Sequence, residues 1–102
     1  MFGKRSNKNE LDLPPVASEN PAATEVLRVW AAPGSPQQLT LRTTWKNAGA
    51  WGLLLADVAR HAALAYQKEG RDPQEVLGQI HKFWKAEWES PTDEPKDVTP
   101  KS

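Results

Sequence analysis

A helix stop followed at once by a helix start is the feature that most restricts the fold of this chain. Gly70 ends an apolar, helically spaced stretch that begins at Asn47, and glycine suits the left-handed position just past a helix end. Asp72 then provides an N-cap, and Pro73 suits the first helical position. The second periodic stretch ends before Pro91. The sequence therefore predicts two helices joined by a tight connection.

The first predicted helix is apolar around most of its circumference. A main stripe and a stripe of small residues leave only a narrow polar strip, so we expect this helix to be covered on more than one side. The second helix has a single apolar face. The main stripe comprises Trp51, Leu54, Leu55, Val58, Ala62, Ala65 and Tyr66. The small stripe comprises Gly49, Gly52, Ala56, Ala59 and Ala63. The apolar face of the second helix comprises Val76, Leu77, Ile80, Phe83, Trp84 and Trp88.

An antiparallel β-hairpin is predicted upstream of the helices. Residues 25–31 are rich in β-branched and aromatic side chains, residues 38–45 alternate polar and apolar, and residues 32–36 carry a strong turn signal. An even register would place Leu27, Val29, Leu39, Leu41 and Thr43 on one face, and Val26, Arg28, Trp30, Thr40, Arg42 and Thr44 on the other.

The expected fold class is α+β, with an antiparallel β-hairpin followed by two α-helices (ββαα) in a single small domain over residues 23–90. Residues 1–22 and 91–102 are polar and proline-containing, so we expect a disordered arm and a disordered tail. The arm contains a short apolar segment, residues 11–16, with polyproline character. This segment suits a stiff linker, or alternatively an arm that docks on the domain or on a partner.

Composition excludes several classes of function. The chain has no cysteine, which rules out disulfides, thiolate metal sites and cysteine nucleophiles. Its 13 basic and 13 acidic residues cancel and are evenly spread, so no positive field attracts nucleic acid or an anionic membrane. No apolar run approaches the roughly 20 residues of a membrane span, and no signal-peptide stretch follows the start. The sequence predicts a cytoplasmic protein without membrane or nucleic-acid partners.

Asp57 and His61 form the first candidate site. They lie four residues apart, on one face of the first helix, where a carboxylate could orient an imidazole. The arrangement lacks a nucleophile, and His81 is the only other imidazole, so a metal site would be incomplete. The simpler interpretation is a solvated strip in which Asp57 pairs with Arg60 or His61. We expect no catalytic residue, no metal and no cofactor.

Arg28, Trp30 and Arg42 form the second candidate site, on one face of the hairpin. Basic and aromatic residues on a sheet can neutralise and stack on single-stranded nucleic acid. One aromatic ring and two bases without surrounding positive charge are a weak pattern for that function. The alternative is that a guanidinium stacks on Trp30 within the fold, or that Trp30 lies in a protein interface.

Three strings in the sequence resemble a known family. They are Leu27 to Ala31, Leu39 to Thr43 and the longer string Ala50 to His61, and the resemblance spans about residues 11–93. The family comprises small bacterial proteins and is classed only as a domain of unknown function. The resemblance implies a bacterial, cytoplasmic, single-domain protein and assigns no catalytic or binding residue.

The function expected from these features is that of a non-enzymatic interaction module that associates with itself. A homodimer would be held by the hairpin edges, by the first helix or by both, and an unknown protein partner is a further prospect. The competing monomer would place the first helix between the hairpin and the second helix. Two other functions stay open, a small-molecule or weak metal binder using Asp57 and His61, and a binder of single-stranded nucleic acid on the hairpin face.

Overall fold

The computed structural model describes residues 7–92 and 96–97. The chain forms two compact units, a hairpin unit (residues 1–42 with 96–102) and a helical unit (residues 43–95). The predicted α+β class, a hairpin followed by two helices, is confirmed. The elements in chain order are α1 (Val16–Glu19), β1 (Leu27–Ala32), β2 (Ser35–Leu41), α2 (Gly49–Lys68), α3 (Pro73–Glu89) and β3 (Lys96–Asp97).

The hairpin has the even register that the sequence analysis assumed when it assigned the two faces. Leu27 pairs with Leu41 and Val29 pairs with Leu39, which places these apolar side chains on one face. The opposite face carries Arg28 across from Thr40. The register therefore supports both of the faces that the sequence predicted.

The hairpin turn is shorter than the five residues predicted. Ala32 pairs with Ser35, so Pro33 and Gly34 alone form the turn, and Gly34 has a left-handed φ of 77°. Proline followed by a left-handed glycine is typical of a type II turn. The register then shifts between Trp30 and Ala32. A proline within β2, Pro36, has no N–H to donate to the ladder, which accounts for the irregularity at this point.

Two short elements lie in segments that were expected to lack regular structure. In the arm, α1 is one helical turn that begins after Pro15, where the Ala17 N–H donates to the Pro14 carbonyl at 3.0 Å. In the tail, β3 pairs in parallel with β2 opposite Gln38 and Leu39. The composition of the tail does not predict β3, because two residues form a strand only when they pair with a neighbouring strand. The rest of the predicted tail, residues 93–95 and 98–102, lies outside the described residues.

Both ends of the α2–α3 connection follow the predicted capping pattern. The Gly70 N–H donates to Gln67 O at 2.9 Å, the Arg71 N–H donates to Tyr66 O at 3.0 Å, and Gly70 has a φ of 92°. These two bonds define a Schellman cap. The Asp72 carboxylate accepts the Gln74 N–H at 2.9 Å at the start of α3. The stop and start read from the sequence are confirmed.

The start of α2 lies slightly later than predicted. The helix begins at Gly49, and the Asn47 side chain accepts the Gly49 N–H at 2.9 Å. Asn47 therefore satisfies one free N–H at the helix start, whereas Ala48 occupies the N-cap position, which the sequence pattern would assign to Asn47. No helix in the described part of the chain is long and apolar enough to cross a bilayer.

Burial in the helical unit is confined to one end of the helix pair. Ala63 of α2 and Val76 of α3 are buried, while Ile80 is half-buried. Every residue from 81 to 90 is exposed. In α2 the small stripe is divided, because Ala63 is buried whereas Gly49, Gly52 and Ala56 are exposed. Among the described residues of the helical unit, the expected cover on more than one side of α2 is therefore not seen.

Candidate functional site

The structure brings Arg28, Trp30 and Arg42 together on one face of the hairpin. Arg28 and Trp30 are alternate residues of β1, and the Arg42 N–H donates to Val26 O at 2.9 Å, which extends the same ladder by one pair. Alternate residues of a strand and their cross-strand partners share a face. The Trp30 side chain is 37% exposed. The three predicted residues thus form one surface.

The charge of Arg28 is already neutralised within the hairpin unit. Its Nη1 lies 2.9 Å from Glu10 Oε2, and its Nη2 lies 3.2 Å from Glu25 Oε1. Arg42 contributes to the same cluster, since its Nε donates to the Glu25 backbone carbonyl at 3.3 Å. A guanidinium held by two carboxylates offers little positive charge to a phosphate. The two ion pairs therefore reduce the positive charge that Arg28 presents on this surface.

The N-terminal arm lies against β1. Its residues 9–14 and the β1 side of the hairpin line a groove of about 470 Å³, and the ion pair from Glu10 to Arg28 joins the two sides. Within the arm Leu13 is 43% exposed, whereas Leu11 is 88% exposed. Of the two interpretations of residues 11–16, the structure supports an arm that contacts the hairpin. The contact includes the Glu10–Arg28 ion pair, while Leu11 remains largely in solvent.

The Asp57–His61 strip is solvent-exposed. Asp57 Oδ1 lies 3.9 Å from Arg60 Nη1, both side chains are more than two-thirds exposed, and His61 is exposed. His81 stacks on Trp84 with ring centroids 6.0 Å apart. Among residues 7–92 and 96–97, no three histidine or carboxylate side chains come together as a metal site would require. The observed Asp57–Arg60 pair is one of the two that the simpler interpretation allows.

An exposed aromatic face on α3 is a site that sequence reasoning missed. Phe83 and Trp88 are each 72% exposed and Trp84 is 48% exposed. The two indoles stack, with ring centroids 5.2 Å apart. The helical spacing places these residues on the single apolar face of the second helix, and Trp30 is the residue that the sequence analysis offers for a protein interface. Spacing shows that residues share a face and does not show that another element covers that face.

A second overlooked feature is a depression at the α2–α3 connection, which we call the Arg71 pocket. The guanidinium carbon of Arg71 lies 4.8 Å from the centroid of the Tyr66 ring, and Arg71 Nη2 donates to Gln79 Oε1 at 3.0 Å. The pocket has a volume of about 330 Å³, and its other lining residues are Val76, Ile80 and Phe83. The sequence did contain one signal for this pocket. Arg71 directly follows the capping glycine, and a residue at that position commonly packs on the last helical turn.

Two further tryptophans stabilise the start of the helical unit. The Trp51 Nε1–H donates to Thr43 O at 3.0 Å, and the Trp45 and Trp51 rings meet edge to face at 5.7 Å. Thr44, which lies between Thr43 and Trp45, has a left-handed φ of 68°, which is uncommon for a β-branched residue. Trp51 is half-buried, as its position on the main stripe of α2 predicts. These indoles have a structural role.

Comparison with known proteins assigns a family. The profile of a family described as "Domain of unknown function (DUF5076)" matches residues 10–92. A solved structure described as "a putative pyruvate dehydrogenase from the photosynthetic bacterium Rhodopseudomonas palustrus CGA009" is 31% identical, with a TM-score of 0.72 over 96% of this chain and 99% of that chain. No curated protein matches the chain. The match over most of its length shows that the chain belongs to the family described as Domain of unknown function (DUF5076), in agreement with the resemblance seen in the sequence.

Proposed function

We propose that this protein is a non-enzymatic interaction module that forms a homodimer through the aromatic face of α3. One observation carries the proposal: Phe83, Trp84 and Trp88 are exposed at 72%, 48% and 72% on a helix whose one buried residue, Val76, lies in its first turns. Large exposed aromatic clusters are uncommon on a monomer and typically mark an interaction surface. Tryptophan is also enriched among the residues that dominate binding energy.

The exposed area is large enough to form the centre of an interface. Aromatic side chains bury about 150–250 Å² each, so the exposed fractions of these three rings correspond to roughly 300–500 Å². A stable interface takes about 800 Å² from each partner, and aromatic residues are enriched at its centre. The stacked indoles of Trp84 and Trp88 restrict each other, which lowers the entropy lost when a partner orders them.

The charge distribution favours a second copy of the chain as the partner that binds the aromatic face. The 13 basic and 13 acidic residues give no net charge, so two copies do not repel each other at long range. Along α3, Lys82 and Lys85 precede Glu87 and Glu89. An antiparallel pairing of two α3 helices about a twofold axis would bring opposite charges together at both ends of the aromatic contact. A cytoplasmic location in a bacterium is part of this proposal and rests on the cysteine-free composition and the resemblance.

Enzymatic activity is the competing proposal, because the solved relative at 31% identity is described as "a putative pyruvate dehydrogenase". Among the described residues, no polar or charged side chain is buried. An acid or base enclosed from solvent, as such chemistry commonly uses, is therefore not available there. An assay of the purified chain for pyruvate-dependent reduction of an electron acceptor should give no signal, and turnover abolished by a point substitution would contradict the non-enzymatic assignment.

Light scattering on a sizing column tests the dimer. At about 100 μM, well above the micromolar range of moderate affinities, we expect a mass near twice 11.3 kDa. Trp88→Ala should weaken dimerisation by about 30-fold or more, as loss of a central aromatic residue does. Trp30→Ala is the matched control, since it removes an indole from the hairpin face.

Two outcomes would contradict the proposed interface. A mass near 11.3 kDa at the high concentration would show that the protein does not self-associate under these conditions. A dimer that Trp30→Ala dissociates and Trp88→Ala leaves intact would place the contact on the hairpin instead.

A further inference from the structure

We propose that the Arg71 pocket binds small carboxylates that carry an apolar tail. This site is distinct from the proposed dimer contact in its key residue, because Arg71 lies before α3 begins and outside the aromatic face. Phe83 borders both surfaces, so the two proposals are tested through different residues. The site goes beyond the proposed function and does not depend on it.

Arg71 supplies a positive charge that is not neutralised within the described part of the chain. Its contacts there are the Tyr66 ring and the Gln79 amide oxygen, both of which are neutral. The neighbouring carboxylate of Asp72 accepts the Gln74 N–H. This distinguishes Arg71 from Arg28, which two carboxylates hold. A guanidinium without a carboxylate partner retains N–H donors for an anion.

The helix cap holds Arg71 in place before any ligand arrives. Its N–H donates to Tyr66 O at 3.0 Å, and the left-handed turn at Gly70 fixes the direction in which the chain leaves α2. The side chain is then restrained by the ring on one side and by Gln79 on the other. A donor group restrained in this way loses little freedom on binding, which favours affinity.

The rest of the pocket is apolar. Val76 is 3% exposed and Ile80 is half-buried, and Phe83 forms an open wall. The volume of about 330 Å³ lies at the lower end of the range for small-molecule sites. One cationic group at the edge of an apolar surface matches a ligand with a carboxylate at one end and a short hydrocarbon chain at the other. Hexanoate is a suitable probe of this chemistry.

Titration followed by NMR tests the site on the intact protein. Hexanoate should produce saturable shifts of the Arg71 Nε–H and Gln79 side-chain amide resonances. Hexanamide, which has the same tail without the charge, should bind at least about 10-fold more weakly because a charge-assisted bond is lost. Pyruvate, which carries the carboxylate without the hydrocarbon chain, should also bind more weakly than hexanoate.

Arg71→Gln should reduce hexanoate affinity at least about 10-fold, again through loss of the charged donor. Arg60→Gln is the matched control, because Arg60 is exposed on α2 and pairs with Asp57, and it should leave the affinity unchanged. Equal binding of hexanoate and hexanamide, equal binding of pyruvate and hexanoate, or an unchanged affinity in Arg71→Gln would overturn the proposal. So would the same shifts appearing on raising the protein concentration alone, since the carboxylate would then come from a second copy.

Discussion

The helical unit contains two buried apolar side chains, Ala63 and Val76, whereas none of the residues described in the hairpin unit is buried. The hairpin unit is instead held by its strand ladder and by polar contacts such as the one between Glu10 and Arg28. The helical unit adds capped helix ends to its small apolar centre. One unit therefore depends on burial and the other on hydrogen bonds and charge.

This difference predicts which kind of substitution should lower the stability of each unit most. Burial of a side chain such as Val76 contributes on the order of 1.5–3 kcal/mol, whereas an exposed ion pair contributes about 1 kcal/mol or less. Truncation of Val76 in the helical unit should therefore matter more than loss of an ion pair in the hairpin unit. It also follows that neither unit uses all its large apolar side chains internally, because Val29 and Trp88 are both more than half exposed.

Val76→Ala should produce the largest effect. The side chain is 3% exposed, so loss of two methyl groups and the resulting cavity should lower the free energy of unfolding by about 2 kcal/mol. Val58→Ala is the matched control, since Val58 is 48% exposed on α2, and it should cost less than about 0.5 kcal/mol. Urea unfolding at one protein concentration measures both. Equal losses would show that burial does not distinguish the two positions.

Two glycine substitutions should shift stability in opposite directions. Gly70→Ala forces a side chain onto a left-handed residue with a φ of 92° and should cost about 1 kcal/mol. Gly78→Ala lies within α3, where an added Cβ meets nothing within 4 Å, and should stabilise by about 0.5–1 kcal/mol. Thermal unfolding of the two variants shows directly whether each substitution raises or lowers the Tm. A stabilising Gly70→Ala would contradict the cap geometry that positions Arg71.

Glu10→Gln should have the smallest effect and should act only on the hairpin unit. It removes the 2.9 Å ion pair to Arg28 and should cost about 0.5 kcal/mol, a loss that shrinks in high salt. Glu19→Gln, an exposed change in α1, is the control. Hydrogen exchange of the amides in residues 9–14 reports whether the arm is released. Unchanged exchange would show that the ion pair does not hold the arm against β1.

The local signals in the sequence predicted the elements well. The capping roles of Asp72 and Gly70 involve only residues close to them in sequence. The period of two predicted which hairpin residues share a face once an even register was assumed, and the structure supplies that register. The turn length was wrong because Pro36 was assigned to the loop, whereas it lies within β2 beside a register shift. The expectation of an unstructured arm missed α1, since a single turn after two prolines has little periodic signal.

The candidate sites were harder to predict than the elements. Arg28, Trp30 and Arg42 do share a face, which the period of two determines. The two carboxylates that neutralise Arg28 include Glu10, which lies 18 residues upstream, and no local rule connects them. The Arg71 pocket requires Tyr66 and Gln79 from two different helices to approach one guanidinium. Such contacts depend on the angle and register between elements.

The sequence by itself determined the two long helices, the presence of the hairpin and which residues of each helix share a face, because capping and periodicity are local properties of the chain. Only the tertiary structure decided which faces are covered. On α3, Val76 and Trp88 belong to one predicted apolar face, yet the first is 3% exposed and the second 72%. The physical reason is that a side chain is buried only when atoms of another element cover it. The sequence pattern of one helix does not show how far along that helix a neighbouring element extends.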